Sequence, residues 1–156
     1  MPIVFARVDD RLIHGQIVQA WLPELKVDEV LIPVDKAHTE HINQGLLRLS
    51  LPFEYKLTVL DSHACMRYAT QSKKRIFLLM GTLREFTDLI EDGLEIKSLN
   101  IGGMHFKENA QKLDENVFLD QTDKHLLKLI HDLGIAIETR AVPNSKSVSV
   151  QEAIYD

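Results

Sequence analysis

The chain has 156 residues, 45% of them hydrophobic, and a formal net charge of −5. That suits one domain with a continuous core over residues 1–156 and is too little for two, and its scattered basic residues leave no footprint for a nucleic-acid backbone. The longest apolar run, residues 76–80, is far short of the ~20 residues a bilayer span needs. In chain order, strand-length apolar runs stand at 3–8, 29–34, 55–60, 75–80, 98–102, 116–120 and 135–142. Between them, apolar residues at spacings of three and four predict helices at about 16–22, 37–50, 62–72, 82–92 and 122–133. Thr82 and Glu85 make a capping box for the fourth helix, Phe86, Leu89 and Ile90 its buried stripe, and Gly93 its stop. Residues 102–116 break the rhythm and read as a loop or hairpin leading to an edge strand. The polar segment 145–156 reads as a loosely attached tail.

Most of the strands are near-continuously apolar, as expected of strands covered on both faces. The fold class predicted is therefore α/β: an open, twisted, mostly parallel sheet of about six to seven strands with helices on both faces. Arg7, Asp9 and Asp10 stand where a secretory signal would be apolar. The single cysteine, Cys65, can form neither an internal disulfide nor a CxxC pair. A reducing, cytoplasmic location is expected.

The stretch "DDRLIHGQ" (9–16) follows the first strand and precedes the first helix. In an open α/β sheet, ligands gather outside the carboxyl ends of the strands. His14 and Gly15 then fall at the start of a helix, where unpaired amides and the dipole favour an anion. Gly15 lets the backbone approach a ligand, and Arg11 offers a planar fork for phosphate oxygens. These are the parts phosphoryl transfer needs: a nucleophile in line with the donor, and positive groups around the equatorial oxygens. His14 is the candidate nucleophile and Arg11 its electrostatic partner. Asp10 is the candidate to fix the imidazole tautomer or to hold Arg11. Arg7, near the end of a buried strand, needs an acid or a bound anion as partner. With Gly15, Gln16 and Thr82 it completes the candidate phosphate-binding set. The plainer reading of this turn is a solvated loop with a capping histidine.

The segment "ARVDDRLIHGQI" (6–17) closely resembles the opening of the IIB subunits of the mannose/fructose/sorbose family of the sugar phosphotransferase system. The likeness continues in "SLNIGGMHF" (98–106) and "LGIAIETRAVP" (133–143). The resemblance implies a phosphocarrier whose loop histidine, here His14, takes a phosphoryl group from a histidine of a IIA partner. It would then pass the group to a sugar transported by the membrane subunits IIC and IID, the carrier lying peripherally at the membrane. It also implies that the phosphate sits on Nδ1, a choice the residues themselves leave open. A homodimer is left open, and no cofactor is expected. The chain departs from the family in "VDKAHTEH" (34–41) and "KENAQK" (107–112), where partner contacts and loop shape would differ.

Other features have plainer explanations. His38 and His41 share a spacing of three, but no third metal ligand is apparent. Cys65, inside a helix and without a phosphate loop after it, reads as a packing residue. Thr82 is sufficiently explained as an N-cap, and Gly102 and Gly103 as a turn or a place of backbone approach. His63, His105, His125 and His131 have no obvious companions. The rival function is an aspartate-phosphorylated receiver domain, with Asp9 and Asp10 as a Mg²⁺ pair after the first strand, Asp61 as acceptor after the third and Thr82 after the fourth. That reading lacks a lysine after "LNIGG" and leaves Arg11, His14 and Gly15 without a purpose. A non-catalytic protein-binding domain is the second rival.

Overall fold

The computed structural model describes residues 2–35 and 42–155. Its strands are β1 (Ile3–Asp9), β2 (Glu29–Val34), β3 (Lys56–Asp61), β4 (Ile76–Met80), β5 (Ser98–Gly103), β6 (Gln111–Asp114), β7 (Val117–Leu119), β8 (Ala136–Thr139) and β9 (Val148–Ser149). A π-helical segment (Ile17–Trp21) runs into α1 (Leu22–Leu25). The later helices are α2 (Gln44–Ser50), α3 (Ser62–Gln71), α4 (Leu83–Glu91), α5 (Gln121–Asp132) and α6 (Gln151–Tyr155). Seven strands form one sheet in the order β3-β2-β4-β1-β5-β8-β9. All pairings in it are parallel except that of β9 with β8.

Side chains alternate across the sheet, so each buried strand feeds two cores. On β4, Ile76, Leu78 and Met80 pack with α3, α4, α5 and α6, through residues such as Cys65, Phe86, Leu127 and Ile154. Phe77 and Leu79 pack on the other face, with Ile17, Trp21 and Leu22. The same alternation sends Ala6 and Val8 of β1 to the first core. Phe5, on the opposite face, stacks on Trp21 at 4.7 Å. Arg7 and Asp9 follow Phe5 at two-residue steps and so face the helix that begins at Gly15. The connection leaving β1 covers one face of the sheet, while α4 carries the chain over the other face from β4 to β5. The end of β1 is therefore a point where connections part, the usual place for a ligand in this architecture.

The expected fold class holds, with three local corrections. Residues 116–120 do not join the sheet; β7 pairs with β6 in a separate antiparallel hairpin, reaching the sheet's β5 end through a bridge between Met104 and Val117. The antiparallel edge strand is β9, inside the segment expected to be a loose tail. That segment is anchored: Val150 is 1% exposed, and Ala153 and Ile154 are buried. A two-residue strand and a five-residue helix are too short to leave a periodic signal in the sequence. The first helix reaches Leu25, and its π-helical register places Pro23, which has no amide to donate, just past the wide turn. The helix expected over 37–50 is seen as α2, capped by the Asn43 side chain, which accepts from the amide of Leu46. The expectations for residues 36–41, including His38 and His41, lie outside the described residues.

Candidate functional site

Asp9, the last residue of β1, is fully buried and accepts five hydrogen bonds. Arg11 gives it the backbone amide (3.1 Å), Nε (2.9 Å) and Nη2 (3.0 Å). Arg7 gives Nη2 (3.1 Å) and His14 gives Nε2 (2.9 Å). Burial by itself would raise the Asp9 carboxyl, but the hydrogen bonds from His14 and Arg11 and the charge of Arg7 outweigh it. They hold it well below the usual carboxylate range. An ionised carboxylate only accepts, so the His14 nitrogen that meets it must carry the proton. Nε2 of His14 is thus protonated, and in the neutral ring the lone pair lies on Nδ1. Among the described residues nothing bonds that Nδ1, and the side chain is 18% exposed.

The backbone brings these groups together by a turn in which the Leu12 amide donates to the Asp9 carbonyl. Leu12 sits in the left-handed region at φ 56, a conformation that costs a branched side chain of order 1 kcal/mol. Leu12 also closes against Gly81 at the end of β4, where an added Cβ would touch its Cδ2 at 3.7 Å. The turn returns the chain so that His14 lies over Asp9 and the helix begins at Gly15. The first intrahelical bond runs from Val18 to His14, leaving the amides of residues 15–17 without helical partners.

Arg7 lies beneath this assembly, fully buried. Its Nη1 donates to Asn100 Oδ1 (2.7 Å) and to the Arg140 carbonyl (2.8 Å), and its Nη2 also reaches the Ala141 carbonyl (3.2 Å). The Trp21 ring lies 5.2 Å from its Cζ and donates its own Nε1 to Ala141. Burial pulls the Arg7 guanidinium below its ordinary value and Asp9 works against that. The glycine pair of β5 makes room for the cluster. A Cβ on Gly102 would lie 1.9 Å from Arg7 Nη2, and one on Gly103 would lie 2.7 Å from Asp9 Oδ1. The β1–β5 register slips at this point, Val8 facing Ile101 and Asp9 facing Gly103, so Gly102 forms a bulge over the guanidinium.

The expected residues thus fall into different roles. His14 and Arg11 are brought together, as expected, but through Asp9. Asp10 does not serve them: its carboxylate accepts from the backbone amide (2.7 Å) and Nδ1 (2.5 Å) of His105. The physical reason is the strand period, since Asp10 points to the face opposite Asp9. Arg7 cannot touch an anion at the surface and acts from below on Asp9. Gln16 accepts from Arg11 Nη2 (3.2 Å), so it positions Arg11. Gly15 has no positive φ, and a Cβ there meets nothing within 4 Å; the fold does not need glycine at this position. Thr82 caps α4, accepting from the Glu85 amide and donating to the Glu85 carboxylate. Asp9 was legible in principle: it lies two residues after Arg7 at the end of an apolar strand, on the same face. Leu12, Asn100 and Trp21 gave no sequence signal.

The receiver reading loses its metal pair, because Asp9 is enclosed by two guanidinium groups and an imidazole, and Asp10 is held by His105. Asp61 caps α3 by accepting from the Ala64 amide. Cys65 is buried, which pushes its thiol up to about 12, so no reactive thiolate is present at neutral pH. No group of metal-ligating side chains occurs among the described residues, and no helix among them is long and apolar enough to cross a membrane.

Comparison with known proteins shows which family the chain belongs to. The family model described as the sorbose subfamily IIB component of the PTS system matches residues 3–156. The chain is 32% identical to the sorbose-specific EIIB component of Lacticaseibacillus casei, over 96% of its own length and 93% of that protein's. It is 29% identical to the mannose-specific EIIAB component of Escherichia coli, of which it spans about half (99% of this chain, 49% of that protein). The crystal structure of the IIBSor domain of the sorbose permease from Klebsiella pneumoniae superposes with a TM-score of 0.88 at 27% identity, covering 99% of this chain and 96% of that one. A match over nearly the whole chain, with an open parallel sheet that carries an arginine, a histidine and a buried aspartate at its carboxyl edge, places the protein in the sorbose subfamily of PTS IIB components, the sugar-specific phosphotransferases of that system.

Proposed function

We propose that the chain is a phosphocarrier in which Nδ1 of His14 takes a phosphoryl group from a phosphohistidine of a IIA partner. It then delivers the group to a sugar presented by membrane subunits IIC and IID, at whose cytoplasmic face the carrier docks. The observation that carries this reading is the bond from His14 Nε2 to Asp9, which leaves Nδ1 as the nitrogen with a lone pair at the surface. In the transfer, Nδ1 attacks phosphorus in line with the donor's N–P bond. That bond breaks, its electron pair returns to the donor imidazole, and the donor takes up a proton. The His14 ring, now substituted at Nδ1 and still protonated at Nε2, becomes cationic, and the adjacent Asp9 carboxylate stabilises that charge. Arg11 Nη1, which bonds no described residue, and the open helix amides of residues 15–17 are the donors available to the phosphoryl oxygens. The IIA partner is supported by the mannose-specific EIIAB relative, whose name joins IIA and IIB.

The test is to incubate the purified chain with phosphoenolpyruvate, the general phosphotransferase proteins and candidate IIA proteins, and to locate the phosphate by mass spectrometry. Phosphate on His14, and an unlabelled but folded His14→Ala variant, are expected. Undiminished labelling of His14→Ala would end this reading.

A further inference from the structure

Beside the phosphoryl site, the loop 104–107 presents two side chains outward that the core does not use. His105 is exposed, and Phe106 is 66% exposed although it is a large apolar ring. Exposed aromatics are ordinary on mobile loops, but this loop is braced on three sides. Asp10 accepts from the backbone amide and Nδ1 of His105, and the Asp10 amide donates to the Gly103 carbonyl. Met104 pairs its backbone with the β6–β7 hairpin, donating to Asn116 and accepting from Phe118. Lys107 is tied by ion pairs to Asp120 and Asp123 at the start of α5. Phe106 itself stands edge-on to Phe118, with ring centroids 5.6 Å apart. A cleft of about 170 Å³, lined by Thr82, Leu83 and, on the loop itself, Met104, His105 and Lys107 among others, opens beside the loop. The loop is therefore a preorganised apolar knob beside a socket sized for one side chain, and rigid presentation lowers the entropic cost of binding.

Its location selects the occupant. Asp9 and Asp10 are consecutive, and one holds His14 while the other holds His105. Arg11, which clamps Asp9, also donates to the Gly102 carbonyl just before this loop. In-line transfer between two imidazoles requires the reacting atoms to approach within about 3–3.5 Å. A protein donor must then cover the rim of His14, and a footprint of roughly 800 Å² per partner takes in the adjoining loop. We propose that loop 104–107 is the docking lip for the phosphorylated IIA donor. Phe106 is its apolar anchor, and His105, oriented by Asp10, is its polar contact. The proposal rests on the phosphocarrier reading above.

The experiment compares wild type, Phe106→Ser, Phe106→Tyr and His105→Ala, whose altered side chains are exposed and whose melting temperatures should match. Initial rates of His14 labelling are measured against the concentration of a prephosphorylated IIA protein that labels wild type, and separately with phosphoramidate, a donor without a protein surface. Phe106→Ser should raise the half-saturating IIA concentration about tenfold and His105→Ala severalfold, with the maximal rate within about twofold. Phe106→Tyr should restore docking, and phosphoramidate labelling should be the same for all four proteins. Unchanged half-saturation in both variants, or an equal loss with phosphoramidate, would overturn the docking role while leaving His14 as the carrier. A defect confined to sugar phosphorylation by membranes containing IIC and IID would overturn it in favour of those subunits. Wild type labelled at His14 by neither donor would sink the phosphocarrier reading and this one with it.

Discussion

Asp9 is the residue on which the site turns, because three cationic or protonated groups converge on one buried carboxylate. Asp9→Asn keeps an acceptor but leaves the Arg7 charge buried without compensation, and should cost about 3–5 kcal/mol of stability. The pH dependence has a definite sign. The folded-state pKa of Asp9 is depressed, so its stabilisation is complete above the unfolded value near 4 and is lost as pH falls through the lower folded value. Urea unfolding between pH 7 and pH 3 should show the parent losing stability below about pH 4, with a shallower fall in Asp9→Asn. Arg11, 37% exposed at the side chain, serves the proposed chemistry as well as the buried Asp9. Arg11→Lys loses the paired geometry on Asp9 and should slow transfer by about tenfold or more, and because it also weakens bonds to a buried carboxylate it should cost about 1 kcal/mol of stability. The glycines divide in the same way. Gly102→Ala drives a methyl group into Arg7, which its own hydrogen bonds prevent from yielding, and should cost about 3 kcal/mol or more. Gly15→Ala meets open space, so stability should stay within about 0.5 kcal/mol while phosphoryl transfer slows. Denaturant midpoints and labelling rates on the same two proteins check both.

Among the elements, β1 supplies the alternation that sorts its two carboxylates to opposite faces, and β5 supplies the glycine bulge that admits Arg7. The helix beginning at Gly15 closes the site from one face of the sheet. The C-terminal α6 lies across the sheet from this work, since it packs with α5 in the core on the other face. Ile154→Ala should therefore cost about 2–4 kcal/mol, lowering the melting temperature by roughly 5–10 °C, with His14 labelling unchanged at a temperature where both proteins are folded. A loss of labelling without a loss of stability would contradict that separation. The long, strongly periodic elements were legible from residue spacing, α4 most clearly, with Thr82, Phe86 and Leu89 in their expected places. The short ones were not: β9 and α6 contain too few residues for a period to be counted, and only pairing with β8 and packing against α5, respectively, order them.

At the scale of the molecule, the parallel sheet gathers every strand end of one sense along a single edge, and the proposed phosphoryl site occupies the end of the strand where connections part. This edge also distinguishes the two phosphoacceptor chemistries. A phosphohistidine is a phosphoramidate, lost in acid and stable in alkali, whereas an aspartyl phosphate is open to hydroxide and hydroxylamine. Arg7 and Arg11 enclose Asp9, where the receiver reading would put Mg²⁺, so the proposed histidine chemistry predicts an acceptor step without that metal. Label should pass from an already phosphorylated IIA donor in the presence of EDTA, survive alkali and disappear in acid. Mg²⁺-dependent, alkali-labile label on Asp61 would contradict this.

By itself the sequence determined the alternation of strands and helices, hence the parallel sheet, and it placed an arginine, a histidine and a glycine at a strand end. Those features are local, written in periods of two and 3.6 and in residues a few positions apart. Only the tertiary structure decided which acid serves the histidine, which ring nitrogen is left exposed, and why two glycines follow "SLNI". These depend on contacts between Arg7 and residues 93 to 134 positions away and on the strand twist and bulge that bring β5 against β1. A guanidinium buried among carbonyls, an asparagine and an aspartate is stable only when all of them arrive together, and no single segment of the chain carries that information.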